Sequence, residues 1–365
     1  MRIAFFANFS PTSLSGYVLR ALRRRADVEL TVFSPQAETM NEDGIQYCPP
    51  FCHVPEVLSH AGVSPDLLLF VESSIQPLLL PVGLDQINIP SAWWGIDTHV
   101  NYRWHKEFAG FFSHPFLAQK NFVKPASNYS KKEIGWLPLA CDPEIHRDEK
   151  AERIYDCSFV GNMNKRRKKY LDKISSVVPL QIFSGKTREE MSAIYSRSKT
   201  AFNVAAREEL NMRVFEAMSC GAMLITQDID NGLRDLFEPG KDLVVHHHID
   251  AAALIKKYAA DDEIRKVIAK RGQNLVHSRH TYDQRLQTII DRCGGKSEKP
   301  ITENSTARMR RYFVWRHRAF GYKTKARKEL GEAMKMNFIY SVFYFLRYYL
   351  LYAKQKWDLL FIKKL

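Results

Sequence analysis

Short apolar runs alternate with helical stretches along most of this chain, and this alternation limits its fold more than any other feature. Leu67 to Val71 is a continuous apolar run with the length of a strand that is buried on both faces of a parallel sheet. Similar runs begin at Ile3 and Cys157, and a helical pattern follows each of them. The alternation predicts a doubly wound α/β fold with parallel sheets.

The same rhythm runs through both halves of the 365-residue chain, which is long enough for two domains. Strands are predicted at 3–7, 28–33, 67–71, 87–94, 110–113, 135–139, 157–160, 180–183, 200–204, 223–226 and 243–245. Helices are predicted at 16–25, 165–176, 188–196, 211–219, 251–260, 263–276 and 282–291. We therefore predict a first Rossmann-like domain at 1–145, a second at 146–293, a linker at 294–306 and a helical tail at 307–365.

Most of the positive charge lies at the end of the chain. The whole chain has a net charge of +14, and residues 301–365 hold 15 Lys and Arg against 4 Asp and Glu. The aromatic stretch 338–352 within this tail is short for a membrane span and is interrupted by Arg347. Two interpretations stay open: the tail contacts an anionic membrane surface, or it packs back over the first domain as a helix.

The cysteines and the N-terminus favour a cytoplasmic location. The six cysteines are scattered and include no CxxC pair, so we interpret them as reduced thiols. The N-terminal sequence MRIAFFANFS enters a strand-like run directly and lacks the pattern of a signal peptide. We expect a cytoplasmic protein, which is peripheral on the inner face of the membrane if the tail binds lipid.

Residues 207–226, REELNMRVFEAMSCGAMLIT, hold two carboxylates, Glu208 and Glu216, that are separated by seven residues. Asn211 can cap a helix that ends near Gly221 and leads into a buried strand. Glu216 then lies inside this helix, and Glu208 lies on the loop before it. Ligands bind beside the carboxyl ends of parallel strands, and a helix N-terminus there attracts phosphate. The pattern favours two acceptors for sugar hydroxyls beside an anion site, although two solvated surface acids would have the same spacing.

Around these residues the sequence resembles a known family. The block N-x-R-x-F-E-A-x-x-x-G at 211–221 and DNGLRDLFEPGKDLVV at 230–245 look like the C-terminal domain of GT-B glycosyltransferases. The sequence is most similar to the group-1, retaining, family-four-like type, and especially to its spore-maturation-like branch. Three further segments agree in order, at 93–105, 136–146 and 159–171. The resemblance implies two Rossmann-like domains that face each other across a cleft.

The resemblance also implies a role for each matching residue. Glu216 matches the glutamate that binds the nucleotide ribose. Glu208 matches the one that contacts the donor sugar, although the glycine-rich turn that follows it in the family is missing here. Asn211 begins the matching helix, and Arg213 replaces an apolar position of the commoner motif. Both are therefore expected beside the diphosphate.

Two glycine-containing loops are further candidates for the donor site. Gly161 and Asn162 belong to the segment that matches the first strand and basic loop of the donor domain. One of Arg166 and Arg167 is expected to bind phosphate, although a solvated basic helix face would explain this KRRKK run as well. Gly16 lies in NFSPTSLSGY, which resembles a phosphate-approaching loop. It lacks the GxGxxG fingerprint, and an ordinary strand–helix turn explains it equally well.

A second group of candidates, Asp97 and His99, ends an apolar run in the first domain. A histidine near neutrality can act as a base or bind a sugar hydroxyl, whereas a loop histidine can also merely cap a turn. Trp93, Trp94 and Trp104 are close in sequence, and aromatic faces suit sugar rings. We expect His99 to face the cleft.

No metal site is predicted. Asp228 and Asp230 are interpreted as the start of a turn. The three histidines at 246–248 cannot share one face of a strand or helix. The C-x3-CH cluster at 48–53 has no second pair of ligands to complete a zinc site. No cofactor is expected beyond the co-substrate, a UDP- or GDP-sugar.

These observations together predict a metal-independent, retaining glycosyltransferase of the hexosyltransferase type. It would transfer sugar from a nucleotide diphosphate donor to a hydroxyl of a carbohydrate, lipid-linked or protein acceptor. Nucleic acid is not an expected partner, because no recognised binding module is present. Two alternatives stay open: a nucleotide-sugar epimerase of the same fold, and a non-catalytic scaffold that binds sugar or membrane.

Overall fold

The computed structural model of the protein describes residues 1–9, 13–37, 44–72, 79–247 and 249–294. The predicted basic tail at 307–365, and the predicted linker beyond Gly294, lie outside the described residues. The interpretations of that tail therefore stay predictions. None of the helices in the described part of the chain combines the length and the apolar composition that crossing a bilayer requires.

The first half of the described chain contains nine strands and four α-helices. The strands are β1 (Arg2–Phe6), β2 (Glu29–Ser34), β3 (Ile45–Tyr47), β4 (Phe51–His53), β5 (Leu67–Val71), β6 (Leu80–Val82), β7 (Ser91–Gly95), β8 (His114–Leu117) and β9 (Gly135–Trp136). The helices are α1 (Leu14–Arg24), α2 (Val54–Ala61), α3 (Thr98–Phe108) and α4 (Val123–Ser130). Seven strands form a parallel sheet in the order β3-β2-β1-β5-β7-β8-β9, and β4 pairs separately with β6.

The second half repeats the design with a smaller sheet. Its strands are β10 (Tyr155–Val160), β11 (Leu180–Phe183), β12 (Ser198–Asn203), β13 (Met223–Gln227) and β14 (Val244–His246). Its helices are α5 (Lys165–Ser175), α6 (Arg188–Ser196), α7 (Met212–Ser219), α8 (Leu233–Leu236), α9 (Ala251–Ala260), α10 (Asp262–Arg279) and α11 (Tyr282–Cys293). The five strands are parallel in the order β11-β10-β12-β13-β14. Two parallel sheets confirm the predicted doubly wound architecture.

The aromatic run before Asp97 belongs to the core. Trp93 and Trp94 are adjacent in β7, so their side chains point to opposite faces of the sheet and enter two different apolar clusters. Trp104 on α3 is also buried, at 7% exposure. These aromatic rings therefore do not offer a face to a sugar, because hydrophobic burial holds them inside the first domain.

One strand was predicted in the wrong place. Residues 109–111 form a 3₁₀ turn, and the strand is β8, which begins at His114. Phe111 and Phe112 are buried, with Phe112 stacked on Trp93 at 5.8 Å between ring centroids. The apolar residues that suggested a strand thus pack against the sheet from the turn before it.

The chain passes between the two halves twice. Residues 137–146 lead from the first sheet to the second, and α11 returns to pack against α1 of the first half. The two passages are hydrogen-bonded: Cys141 N–H donates to His280 O at 3.0 Å, and Tyr282 N–H donates to Cys141 O at 3.1 Å. Arg24 on α1 also pairs with Asp283 on α11 at 2.8 Å. The last described helix is therefore fixed to the first domain.

Candidate active site

A cleft of about 760 Å³ lies between the carboxyl ends of the two parallel sheets. Strand order reverses between β1 and β5 in the first sheet and between β10 and β12 in the second. Ligands of doubly wound sheets bind at such reversals, where neighbouring loops separate. The loops after β1, β5, β7, β10, β11 and β12 all contribute to the cleft. We call the first-domain side the acceptor wall and the second-domain side the donor wall.

Two guanidinium groups lie against two glycines in this cleft. A Cβ atom on Gly161 would lie 2.6 Å from Nη2 of Arg213, and a Cβ on Gly16 would overlap Nη2 of Arg188. Arg188 Nη2 donates to Ser13 O at 3.1 Å, so this second-domain side chain reaches the first domain. The glycines thus leave room for arginines that belong to the donor wall. Fixed guanidinium groups in such a place are suited to a diphosphate.

Glu216 is buried at the base of the cleft, with 2% exposure. Its nearest basic group is His146, whose Nε2 is 3.6 Å from Oε1 of Glu216. Burial raises the pKa of Glu216 to about 7, although Arg213 and Arg188 act to lower it. The carboxyl group is therefore poised between its neutral and ionised forms near neutral pH, and it faces the ligand space.

His146 is held neutral beside Glu216. Burial lowers the pKa of His146 to about 3. Its Nδ1 accepts a bond from Asp142 N–H at 3.0 Å, so Nε2 carries the proton and donates to Tyr17 Oη at 3.1 Å. Tyr17 stacks on Tyr282 at 5.3 Å between ring centroids, and Arg188 lies 4.2 Å from the Tyr17 ring. Tyr17, which lines the cleft, thus contacts α11 on one side and Arg188 of the second domain on the other.

Asn211 stands at the start of α7, as predicted, but its side chain makes no capping bond. Its Nδ2 instead donates to Asn203 Oδ1 at 3.2 Å. Its Oδ1 is buried without a hydrogen-bond partner, and the residue lines the cleft. Because buried acceptors are normally paired, this oxygen is suited to accept a bond from a ligand hydroxyl.

The two adjacent glutamates before α7 face different spaces. Glu209 lines the cleft, whereas Glu208 is exposed and lines a smaller outer pocket of about 290 Å³. The carboxylate of Glu209 accepts bonds from Ala206 N–H at 3.0 Å and Arg207 N–H at 2.6 Å. Burial alone would raise the pKa of Glu209, but these backbone donors lower it, so the group stays ionised.

The two arginines of α5 both line the outer pocket and differ in burial. Arg166 is exposed and lines the outer pocket. Arg167 is buried and its guanidinium donates to Asn162 O at 2.6 Å and to Val204 O at 3.0 Å, so it joins two ligand loops. Asn162 itself lines the main cleft beside Gly161. The structure therefore brings Gly161, Asn162, Asn211, Arg213 and Glu216 to one cleft. Gly16 lies against the guanidinium of Arg188, which lines this cleft, whereas Glu208, Arg166 and Arg167 line the outer pocket.

The acceptor wall is organised around Glu72, which directly follows β5. Its carboxylate accepts hydrogen bonds from Ile96 N–H, Asp97 N–H and Asn101 Nδ2, and it pairs with His105 Nε2 at 2.9 Å. Burial alone would raise the pKa of Glu72, but His105 and these bonds keep it below its ordinary value. Glu72 is therefore a fixed negative charge that orients the loop after β7.

Asp97 ends that loop and His99 lies in the first turn of α3. Both line the cleft, where His99 was expected. Burial, with the nearby charges of Glu72 and Glu209, raises the pKa of Asp97 to about 7. Burial lowers the pKa of His99, whose Nδ1 has no hydrogen-bond partner. The acceptor wall thus offers Asp97, a carboxyl group that can take up a proton near neutrality, and His99, an imidazole whose neutral form is favoured by burial.

The sequence did not identify Glu72, Arg188 or Glu209 as site residues, although all three line the cleft. Glu72 follows a strongly predicted strand, and Arg188 begins a helix directly after β11, so both lie where parallel sheets present ligand groups. That position was the signal available in the sequence. Glu209 differs from Glu208 only by one place along a loop, and residue type alone does not distinguish them.

The remaining metal candidates are accounted for by packing. His246 is buried at the end of β14, stacks on Phe202 at 4.6 Å and contacts Asn203 O at 3.2 Å through Nε2. Cys48 and Cys52 are buried free thiols. Within the described residues, no group of three or more His, Cys, Asp or Glu is arranged to hold a metal ion.

Comparison with known proteins assigns the fold. Residues 150–291 match the model of a family described as glycosyl transferase-like. No curated protein matches this sequence. Similar solved structures include HepE of Anabaena in complex with UDP and glucose, with a TM-score of 0.56 and 12% identity over 80% of this chain and 99% of that one.

Two further structures agree with this fold. The sucrose-phosphate synthase of Thermosynechococcus elongatus has a TM-score of 0.55 and 12% identity, over 79% of this chain and 98% of that one. The BGT of T4 phage, in complex with UDP-glucose, has a TM-score of 0.53 and 12% identity, over 80% of this chain and 100% of that one. The chain therefore has the predicted GT-B fold.

Proposed function

We propose that this protein is a glycosyltransferase that takes its sugar from a UDP- or GDP-sugar and transfers it to an acceptor hydroxyl. The observation that carries the proposal is the pair Arg188 and Arg213, which lie over Gly16 and Gly161 above the buried Glu216. The family match at 150–291 and neighbours whose complexes contain UDP or UDP-glucose support it.

The donor wall suits the chemistry of the leaving group. Breaking the bond between sugar and phosphate leaves negative charge on the diphosphate, and preorganised cations stabilise that charge as it develops. Arg213 and Arg188 supply two such cations inside a half-enclosed cleft. Glu216 accepts hydrogen bonds from hydroxyls of the ribose. These hydrogen bonds would favour the ionised form of the Glu216 carboxyl group. We propose that the arginines serve in place of a metal ion.

The acceptor wall suits activation of a hydroxyl. Asp97, on the loop after β7, and His99, at the start of α3, both line the cleft from the first domain. We propose that they orient the acceptor hydroxyl and take its proton. The acceptor is a carbohydrate, lipid-linked or protein hydroxyl in this proposal, and the basic tail at 307–365 would bring the protein to an anionic membrane surface in the cytoplasm.

The test begins with ligand binding. A thermal-shift panel should contain UDP, GDP and their common hexose conjugates, because a ligand at one hundred times its Kd adds about 2.7 kcal/mol of stability. One nucleotide should stabilise the protein selectively, and Glu216→Ala should abolish that shift. Glu152→Ala is the matched control, because Glu152 is exposed and outside the cleft.

The reaction type is then tested with the donor that binds. Release of the nucleotide diphosphate should require an acceptor, whereas isomerisation of the donor without an acceptor would indicate an epimerase. Proton NMR of the product should show that the anomeric configuration is retained, as the family resemblance implies. Inverted product would refute retention alone, and binding of no nucleotide would refute the proposed function.

A further inference from the structure

Glu208 and Glu209 are consecutive, yet the backbone sends them into different spaces. Glu208 has φ of +63°, a left-handed conformation that costs a residue with a side chain about 1–2 kcal/mol. Strained backbone of this kind concentrates at functional sites. The turn at Glu208 points its own side chain into the outer pocket and places Glu209 in the cleft, with 8% exposure.

Glu209 keeps the capacity to bind a ligand. Its two carboxylate oxygens each accept one backbone N–H, from Ala206 and Arg207, and those bonds fix its position and charge. A carboxylate offers about four acceptor sites, so each oxygen can accept one more bond. Two free acceptor positions on one rigid carboxylate match two neighbouring hydroxyls of a pyranose.

The position of Glu209 fits the transferred sugar. Its charge acts on Asp97 and His99 across the cleft and on Arg167 in its own domain. During transfer the sugar lies between the departing diphosphate and the acceptor hydroxyl. In this cleft that position is the space between Glu209 and the pair Asp97 and His99. Asn211 Oδ1, which is buried and has no hydrogen-bond partner, lines the same cleft as a second acceptor.

We infer that Glu209, and not Glu208, contacts the donor sugar, and that the sugar is neutral and not a uronate. This inference rests on the proposed function. Glu72, Asp97 and Glu209 place three carboxyl groups around the sugar space, and hydrogen-bonded backbone holds Glu209 ionised. A sugar carboxylate beside Glu209 would meet a like charge in a partly dry cleft, which selects against acidic donors.

The experiment compares the affinity of each variant for a nucleotide diphosphate with that for its sugar conjugate, by calorimetry. Glu209→Gln should weaken binding of UDP-glucose, or of GDP-mannose if GDP is the nucleotide that binds, by about 10-fold or more. Its affinity for the free nucleotide diphosphate should change less than about threefold. Glu208→Gln is the matched control and should change neither affinity.

A second binding experiment tests directly whether the negative charge of Glu209 selects against an acidic sugar. The unsubstituted protein should bind UDP-glucuronate at least about 10-fold more weakly than UDP-glucose, and Glu209→Gln should narrow this gap to within about threefold. If Glu209→Gln does not fold, Glu209→Asp keeps the charge but withdraws it by one methylene, and should show the same selective loss for the sugar conjugate.

Three results would overturn the inference. Loss of sugar affinity in Glu208→Gln but not in Glu209→Gln would return the contact to Glu208. Equal weakening of nucleotide and conjugate would make Glu209 a residue that only positions the loop. If the unsubstituted protein bound UDP-glucuronate as tightly as UDP-glucose, the charge of Glu209 would not select against acidic sugars. Failure of the unsubstituted protein to bind any nucleotide diphosphate would instead refute the proposed function itself.

Discussion

The two walls of the cleft are built from similar parallel sheets but carry opposite kinds of groups. The donor wall presents Arg188 and Arg213, which are permanently charged and lie over glycines. The acceptor wall presents Asp97 and His99. Burial raises the pKa of Asp97 and lowers the pKa of His99, so in both residues it favours the neutral form. One wall is suited to stabilise charge that leaves, and the other to move a proton.

The difference shows how one fold is divided between two tasks. A leaving diphosphate needs cations that cannot lose their protons, and guanidinium meets that need. An acceptor hydroxyl needs a base that changes protonation near neutral pH, and buried carboxyl or imidazole groups meet that need. The following predictions change one wall at a time, from the largest expected effect to the smallest.

Removing a cation from the donor wall should have the largest effect. Arg213→Ala should lower kcat/KM by about 10²–10³, because preorganised charge that faces a leaving group contributes this much to catalysis. Steady-state kinetics with the identified donor provides the measurement. Arg166→Ala, in the outer pocket, should lower it less than about threefold. A comparable loss in both variants would mean that the diphosphate also occupies the outer pocket.

The buried carboxyl of the donor wall should make stability depend on pH. Burial raises the pKa of Glu216 to about 7, so between the unfolded value of about 4.3 and 7 the folded chain binds the extra proton. Its contribution is complete below pH 4 and is lost as pH rises through 7, by about 3 kcal/mol. Urea unfolding at pH 5 and pH 8 measures this difference.

Glu216→Gln should remove that dependence on pH, and Glu152→Gln should leave it unchanged. Asp97→Asn should remove a separate dependence of the same sign, because the pKa of Asp97 is also raised to about 7. If the free energy of unfolding of Glu216→Gln depends on pH as strongly as that of the unsubstituted protein, then Glu216 is not the buried group that titrates.

A change in the acceptor wall should affect the rate and spare the donor. Asp97→Asn should lower kcat by about 10- to 100-fold, since a positioned base contributes at least this much, and should leave donor Kd within about twofold. Single-turnover kinetics together with calorimetry separates the two quantities. A large change in donor affinity would contradict the assignment of Asp97 to the acceptor side.

The smallest effect concerns backbone strain in the donor wall. Glu208→Gly should change the free energy of unfolding by no more than about 1 kcal/mol, in the stabilising direction, because glycine adopts φ of +63° without strain but gains entropy when unfolded. Urea denaturation measures the change. A loss of more than about 1 kcal/mol would show that the Glu208 side chain contributes contacts of its own.

Sequence patterns predicted the second domain better than the first. Residues 180–183, 188–196 and 251–260 were predicted with the bounds that the structure has, because their apolar periodicity is regular. In the first domain, β8 contains His114 and Pro115, which are poor strand residues, while the apolar residues before it lie in a turn. Phe112 packs on Trp93 from the segment before β8 and is not part of the strand.

The site divides in a similar way. Gly161, Asn211, Arg213 and Glu216 could be placed together because they follow strand ends or occupy one helix. The choice between Glu208 and Glu209 depends on one backbone dihedral, and a pattern of residue types contains no information about it. Packing across the two domains, as between Arg188 and Ser13, is equally inaccessible to local pattern.

The double passage of the chain between the domains limits how the cleft can open. The two connecting segments run side by side at Cys141 and Thr281, joined by backbone hydrogen bonds. Because the two connecting segments adjoin, we expect them to act as a hinge. The domains would rotate relative to each other about these segments, and the backbone hydrogen bonds between the segments would limit sliding of one domain along the other. Because α11 is fixed to the first domain, the last described residue, Gly294, also lies at that domain and not at the donor wall.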